Sequence, residues 1–256
     1  MSTQLILSLL AGIFIGGASG YLGSLMLSKR MALVAGPLGH LTLPGIALAL
    51  IYGFSMALGA FPFVLLGIVF IWFLELRTKL SMEALTAVVF ASGVAVAFLF
   101  LPIDKAESAL IGDITQITLL ETILSIIIAI SLFFIIKFIY PKMILINISE
   151  DLAQSEGINV KKYNFIYLMM IAVIVAMGVQ LVGGLLTAAL VAIPSASAKN
   201  LSQNLTQYSV ISIIIGSMSS CLGIILFQFT GLPSGPLIIL VSTAIFLVSI
   251  AFIKGK

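Results

Sequence analysis

The chain has 256 residues, 61% of them hydrophobic and 8% charged, with a mean hydropathy of +1.30. A soluble domain carries about 25% charged residues, so this composition excludes a soluble globular protein and leaves no room for a large soluble domain. The net charge of +3 is no nucleic-acid signature, because in a membrane chain Lys and Arg mark the cytoplasmic side.

The expected fold class is an all-α polytopic membrane protein, one transmembrane domain over residues 1–256 with eight or nine crossings. A crossing needs roughly 20 apolar residues, and candidate spans run 5–27, 32–53, 58–76, 84–102, 117–138, 163–198, 208–229 and 234–253. The opening "MSTQLILSLLAGIFIGG" has no basic start and no A-x-A site, so it reads as the first span, not a signal peptide. Glu83 opens the fourth span, where an acid complements the helix dipole. Polar segment 140–164 contains "SEDLAQSEG", a short helix with Ser149 as N-cap and Gly157 as stop, expected on the cytoplasmic surface. The 163–198 run is too long for one straight crossing and has "VGG" in its middle. It is either a tilted broken helix or a pair of short crossings. Polar stretch 195–207 then reads as a short cytoplasmic helix or an ordinary loop.

Charge arbitrates orientation. Basic residues cluster at Lys29/Arg30, Arg77/Lys79, Lys137/Lys142, Lys161/Lys162, Lys199 and Lys254/Lys256, whereas Lys105 stands among Asp104, Glu107 and Asp113. The positive-inside rule puts the clusters in the cytoplasm and the acidic loop outside. Lys162 and Lys199 then share a side, which favours two crossings between them and nine in all. The lone cysteine, Cys221, cannot form an internal disulfide.

The stretch "GPLGHLTLPG", 36–45, holds the only histidine, His40. It lies about nine residues into its span, close to the midplane at 1.5 Å per residue, where ionisable groups are functional-site candidates. The bland alternative is a neutral imidazole that donates to a carbonyl and packs. Pro37 and Pro44 each remove a ladder hydrogen bond, and Gly36, Gly39 and Gly45 allow close approach. Unwound backbone at membrane depth is tolerated where it lines a cavity or is buried in protein, and broken helices form binding sites in transporters. Imidazole suits zinc and related metals, but one ligand is not a metal site and no Asp or Glu shares the span. "GASG", 17–20, resembles the G-x-S-G of intramembrane serine proteases, with Ser19 and His40 in adjacent spans. The alternative there is close helix packing by small residues. No G-x4-G-K-[ST] occurs, so any ATP-driven motor is a separate subunit.

Several stretches resemble the permease subunits of zinc/manganese-type ABC importers. "RMALVAGPLGHLTLPGIALAL" (30–50) is similar to their G-D-A-x-S-H-A-x-L-P-G-I-A. "MEALTAVVFASGVAVAFLF" (82–100), "ALIGDI" (109–114), "EDLAQSEGINVKKYNF" (150–165), "QLVGGLLTAALVAIPSASAKNL" (180–201) and "GIILFQFTGLPSGPLIILV" (223–241) follow in the family's order. The resemblance implies a type II importer-like permease in the cell membrane, not itself an enzyme and holding no cofactor of its own. It implies a second permease copy, a cytoplasmic ATPase dimer that uses ATP, and an extracytoplasmic substrate-binding protein. It makes 196–207 the coupling helix, with Ser197, Lys199, Asn200 and Gln203 facing the ATPase. It makes His40 a transient metal contact in a pathway shaped by Gly36, Pro37, Gly39, Pro44 and Gly45. The family's Asp falls on Gly36 here and its Ser on Gly39, so His40 alone keeps its counterpart. The expected substrate is therefore zinc or manganese, with a non-metal or chelated solute as the alternative.

Overall fold

The computed structural model describes residues 3–28, 35–78, 80, 82–100, 110–112, 114 and 117–252. Lys29, Arg30, Lys79, Lys254 and Lys256 lie outside the described residues, as do Asp104, Lys105, Glu107 and Asp113 of the acidic loop. Eleven helices are delimited among the described residues: α1 (Thr3–Ser28), α2 (Ala35–His40), α3 (Leu43–Tyr52), α4 (Met56–Arg77), α5 (Met82–Phe100), α6 (Leu119–Ile148), α7 (Glu150–Ser155), α8 (Val160–Val182), α9 (Thr187–Leu201), α10 (Leu205–Thr230) and α11 (Ser234–Ile250). Five of them, α1, α4, α6, α8 and α10, are long and apolar enough to cross a membrane alone.

Hydrogen bonds and close packing define two ends of the bundle. At one end the Gln4 amide donates to the Ile117 carbonyl (2.8 Å), the Ser8 hydroxyl donates to the Ile114 carbonyl (3.0 Å), and Gly112 packs on Gly183. At the other end Asn200 donates to Ser249 (2.9 Å), Ser24 donates to the Tyr140 hydroxyl (3.3 Å) and Lys142 donates to the Tyr163 hydroxyl (2.5 Å). Arg77, Lys137, Lys142, Lys161, Lys162 and Lys199 all belong to this second end, which the positive-inside rule makes cytoplasmic. Traced between these ends, the described helices make nine passes, with α2 and α3 together forming the second.

The 163–198 run is a hairpin, not one tilted helix. Gly183, at φ +83°, ends α8, and the chain turns through Leu186 into α9. Gly178 packs against Thr187 and Leu190 across that hairpin. Lys162 and Lys199 therefore return to one end, as charge parity requires.

α1 and α8 are the most buried spans. Small residues let α1 approach α10 closely: Gly12 and Gly16 meet Ser220, and Gly20 meets the Ser212 carbonyl. Close van der Waals packing of this kind drives helix association in lipid, where hydrophobicity between helices supplies little. Helix α6 starts with a capping box, Thr118 and Glu121 satisfying each other's backbone N–H groups. In 140–164, Ser149 caps α7 by accepting from Leu152 N, and Gly157 at φ +76° ends it. The ends of that polar segment belong to α6 and α8.

Candidate functional site

The second pass breaks where its sequence suggested. His40 is the last residue of α2, Leu41 and Thr42 form a turn, and α3 starts at Leu43. Pro37 lies in the first turn of α2 and Pro44 in the first turn of α3, where the missing N–H has no helical acceptor to lose. The Thr42 side-chain hydroxyl donates back to the Gly39 carbonyl, and Leu41 N reaches the Pro37 carbonyl at 3.2 Å. Gly36 is the second residue of α2.

The break abuts a second one. A Cβ on Gly39 would stand 2.5 Å from the Gly184 carbonyl oxygen, which lies in the elbow between α8 and α9. A Cβ on Gly184 would in turn stand 3.3 Å from the Thr42 hydroxyl. Thr187 donates to the Gly183 carbonyl (2.7 Å) and closes the elbow. The break in the second pass thus meets the turn of the α8–α9 hairpin, backbone to backbone, beside His40. Farther along α3, Gly45 and Gly59 of α4 approach so closely that a methyl on either would overlap the other's carbonyl.

The His40 ring is half-buried and tilts against Phe90 of α5, centroids 5.4 Å apart at 43°. Next to it lies an apolar groove lined by Leu41, Pro44, Phe63, Gly67, Val89 and Gly93 among others, from the α2–α3 break, α4 and α5. Among the described residues no group of three or more His, Cys, Asp or Glu side chains could hold a metal ion. The arrangement offers one imidazole, backbone carbonyls released at two breaks and hydroxyls at Thr42 and Thr187.

Ser19 and His40 do not form a catalytic pair. The Ser19 hydroxyl is fully buried in α1 with no hydrogen-bond partner, and the His40 ring is turned to Phe90. Gly17 and Gly20 of "GASG" pack on Ser217 and Ser212 of α10, the small-residue contact weighed as the alternative.

The segment 196–207 is not a separate short helix. It comprises the end of α9, a turn over 202–204, and the start of α10 capped by Asn204, which accepts from Gln207 N at 2.8 Å. Lys199 and Gln203 are exposed there. Ser197 is buried and donates to the Ile193 carbonyl, so its side chain is not a surface contact. Asn200 ties α9 to α11 through Ser249.

A bundle of apolar helices, with one pass broken at His40 and packed against the α8–α9 turn, is that of a multi-pass α-helical membrane protein. The chain belongs to the ABC 3 transport family, whose model matches residues 1–253. It is 27% identical to the high-affinity zinc uptake system membrane protein ZnuB of Buchnera aphidicola, over 94% of both chains. It is 26% identical to the manganese import system permease protein ScaB of Streptococcus gordonii, over 97% of this chain and 91% of that one. The fold is that of PsaBC from Streptococcus pneumoniae, with a TM-score of 0.83 at 22% identity, covering 96% of this chain and 91% of the other.

Proposed function

We propose that this chain is the permease of an importer that carries a divalent first-row metal ion, zinc or manganese. The observation that carries the reading is the half-buried His40 at the end of α2, next in sequence to Gly39, whose backbone packs on Gly184 of the elbow. The metal is cargo, so the site need only replace part of its hydration shell. One neutral imidazole gives a borderline-soft lone pair, and carbonyls without helical donors give hard oxygens. Conduction needs binding weak enough to release, and a site without a carboxylate at Gly36 meets that need. Selectivity then rests with an extracytoplasmic binding protein.

The chain has no nucleotide-binding loop and, on this reading, holds no cofactor of its own; a cytoplasmic ATPase pair drives two permease copies between outward and inward access. Lys199 and Gln203, exposed between α9 and α10, meet that ATPase. A chelated metal or another solute on the same fold is the second reading, favoured by Gly36 where the resembling pattern has Asp. Vesicles holding the permease, its ATPase and its binding protein decide between them. Free radioactive manganese or zinc accumulating with ATP supports the first reading. Uptake of the metal only when it is presented with a chelator supports the second and overturns the first.

A further inference from the structure

A second groove lies between α1, α6 and α10, at the end of the bundle that carries the basic residues. Its volume is about 770 Å³. Phe133, Phe134 and Ile213 supply apolar wall; Lys137, Thr206 and Ser209 supply the polar part. Lys137 is exposed, and no carboxylate among the described residues pairs with it. The Ser209 hydroxyl is spent on the Thr206 carbonyl at 2.9 Å. No hydrogen bond engages the Thr206 hydroxyl among the described residues, which leaves it a donor. Leu205 and Thr206 open the 26-residue helix α10, so its positive end adds to the field of Lys137.

This pattern fits one kind of occupant. A cation and a free hydroxyl stand at the cytoplasmic edge of the bilayer, above an apolar channel that runs toward its interior. Phe134 is 70% exposed and Val210 47%, so the apolar walls continue onto the outer surface of the bundle. Basic pockets between helices on this side of a membrane suit anionic lipid headgroups. A free anion would leave the apolar walls uncovered, whereas an acyl chain covers them.

We propose that this groove binds an anionic phospholipid of the inner leaflet, its phosphate on Lys137 Nζ and the Thr206 hydroxyl and its chains along Phe133, Phe134 and Ile213. The site is separate from the His40 break and is independent of what the permease carries.

The test is retention of lipid by the purified full chain, incubated with phosphatidylglycerol or phosphatidylcholine and weighed intact by mass spectrometry. Wild type is expected to keep phosphatidylglycerol about fivefold more than phosphatidylcholine, the factor one cation near the bilayer surface supplies. Lys137→Gln erases the preference, Lys137→Arg preserves it, and Thr206→Val lowers retention of both lipids. Because Lys137 is exposed, these variants keep the fold, which elution as a single sharp peak verifies. Equal retention of both lipids by wild type overturns the proposal, as does an undiminished preference in Lys137→Gln. Lys137→Cys that cross-links two copies, with no lipid preference in wild type, also overturns it and makes the groove an interface.

Discussion

Gly39→Ala tests the contact between the two helix breaks. The added Cβ would stand 2.5 Å from the Gly184 carbonyl oxygen and 3.5 Å from Thr187 Cβ. A carbon and a carbonyl oxygen do not approach closer than about 3 Å, so α2 or the elbow must retreat by at least half an ångström. The atom it would overlap is main chain, and the segments on both sides are held by the Thr42 bond to Gly39 and the Thr187 bond to Gly183, so no flexible side chain can yield. Overpacking of this kind costs about 1–3 kcal/mol. Gly39 also adjoins His40, and a misplacement of about 1 Å can cost a site two orders of magnitude in rate. The substitution is expected to lower the thermal midpoint in detergent and to reduce transport at least tenfold. Gly157→Ala is the control: its φ of +76° adds local strain, about 1–2 kcal/mol, but nothing lies within 4 Å and transport should persist. A Gly39→Ala permease with wild-type stability and transport would refute the close approach of the two breaks.

Thr118→Ala removes the hydroxyl that accepts from Glu121 N at 3.3 Å and opens the capping box of α6. It should cost about 1 kcal/mol in thermal stability and leave transport intact; no measurable cost would contradict the cap. Ser19→Ala deletes a buried hydroxyl with no partner, so stability should hold or rise slightly. Transport should continue, and loss of a proteolytic activity in that variant would revive the hydrolase reading.

Most of the architecture was legible because lipid permits few solutions: each long apolar run must be a helix. The Lys162–Lys199 parity called for a hairpin where hydropathy showed one long run. Hydropathy failed there because the elbow consists of two buried glycines followed by two leucines, Leu185 exposed among them, so no polar residue marks the turn. The 196–207 segment was misjudged for a local reason. Polarity from Ser195 to Gln207 marks a helix end and a helix start, and Asn204 followed three residues later by Gln207 is the start signal that could have placed α10. The prolines and glycines around His40 did announce the break. The "VGG" of 163–198 announced the second break too; what was not legible is that Gly39 and Gly184 touch, since only folding brings residues so far apart in sequence into contact.

The most direct measurement is ATP-driven uptake of radioactive manganese or zinc by vesicles carrying the assembled transporter, with wild-type permease and with His40→Ala. The account predicts that wild type accumulates the metal and that His40→Ala, assembled in equal amount, loses at least tenfold in initial rate. Equal rates would remove His40 from the pathway, and no accumulation by wild type with an active ATPase would contradict metal transport itself.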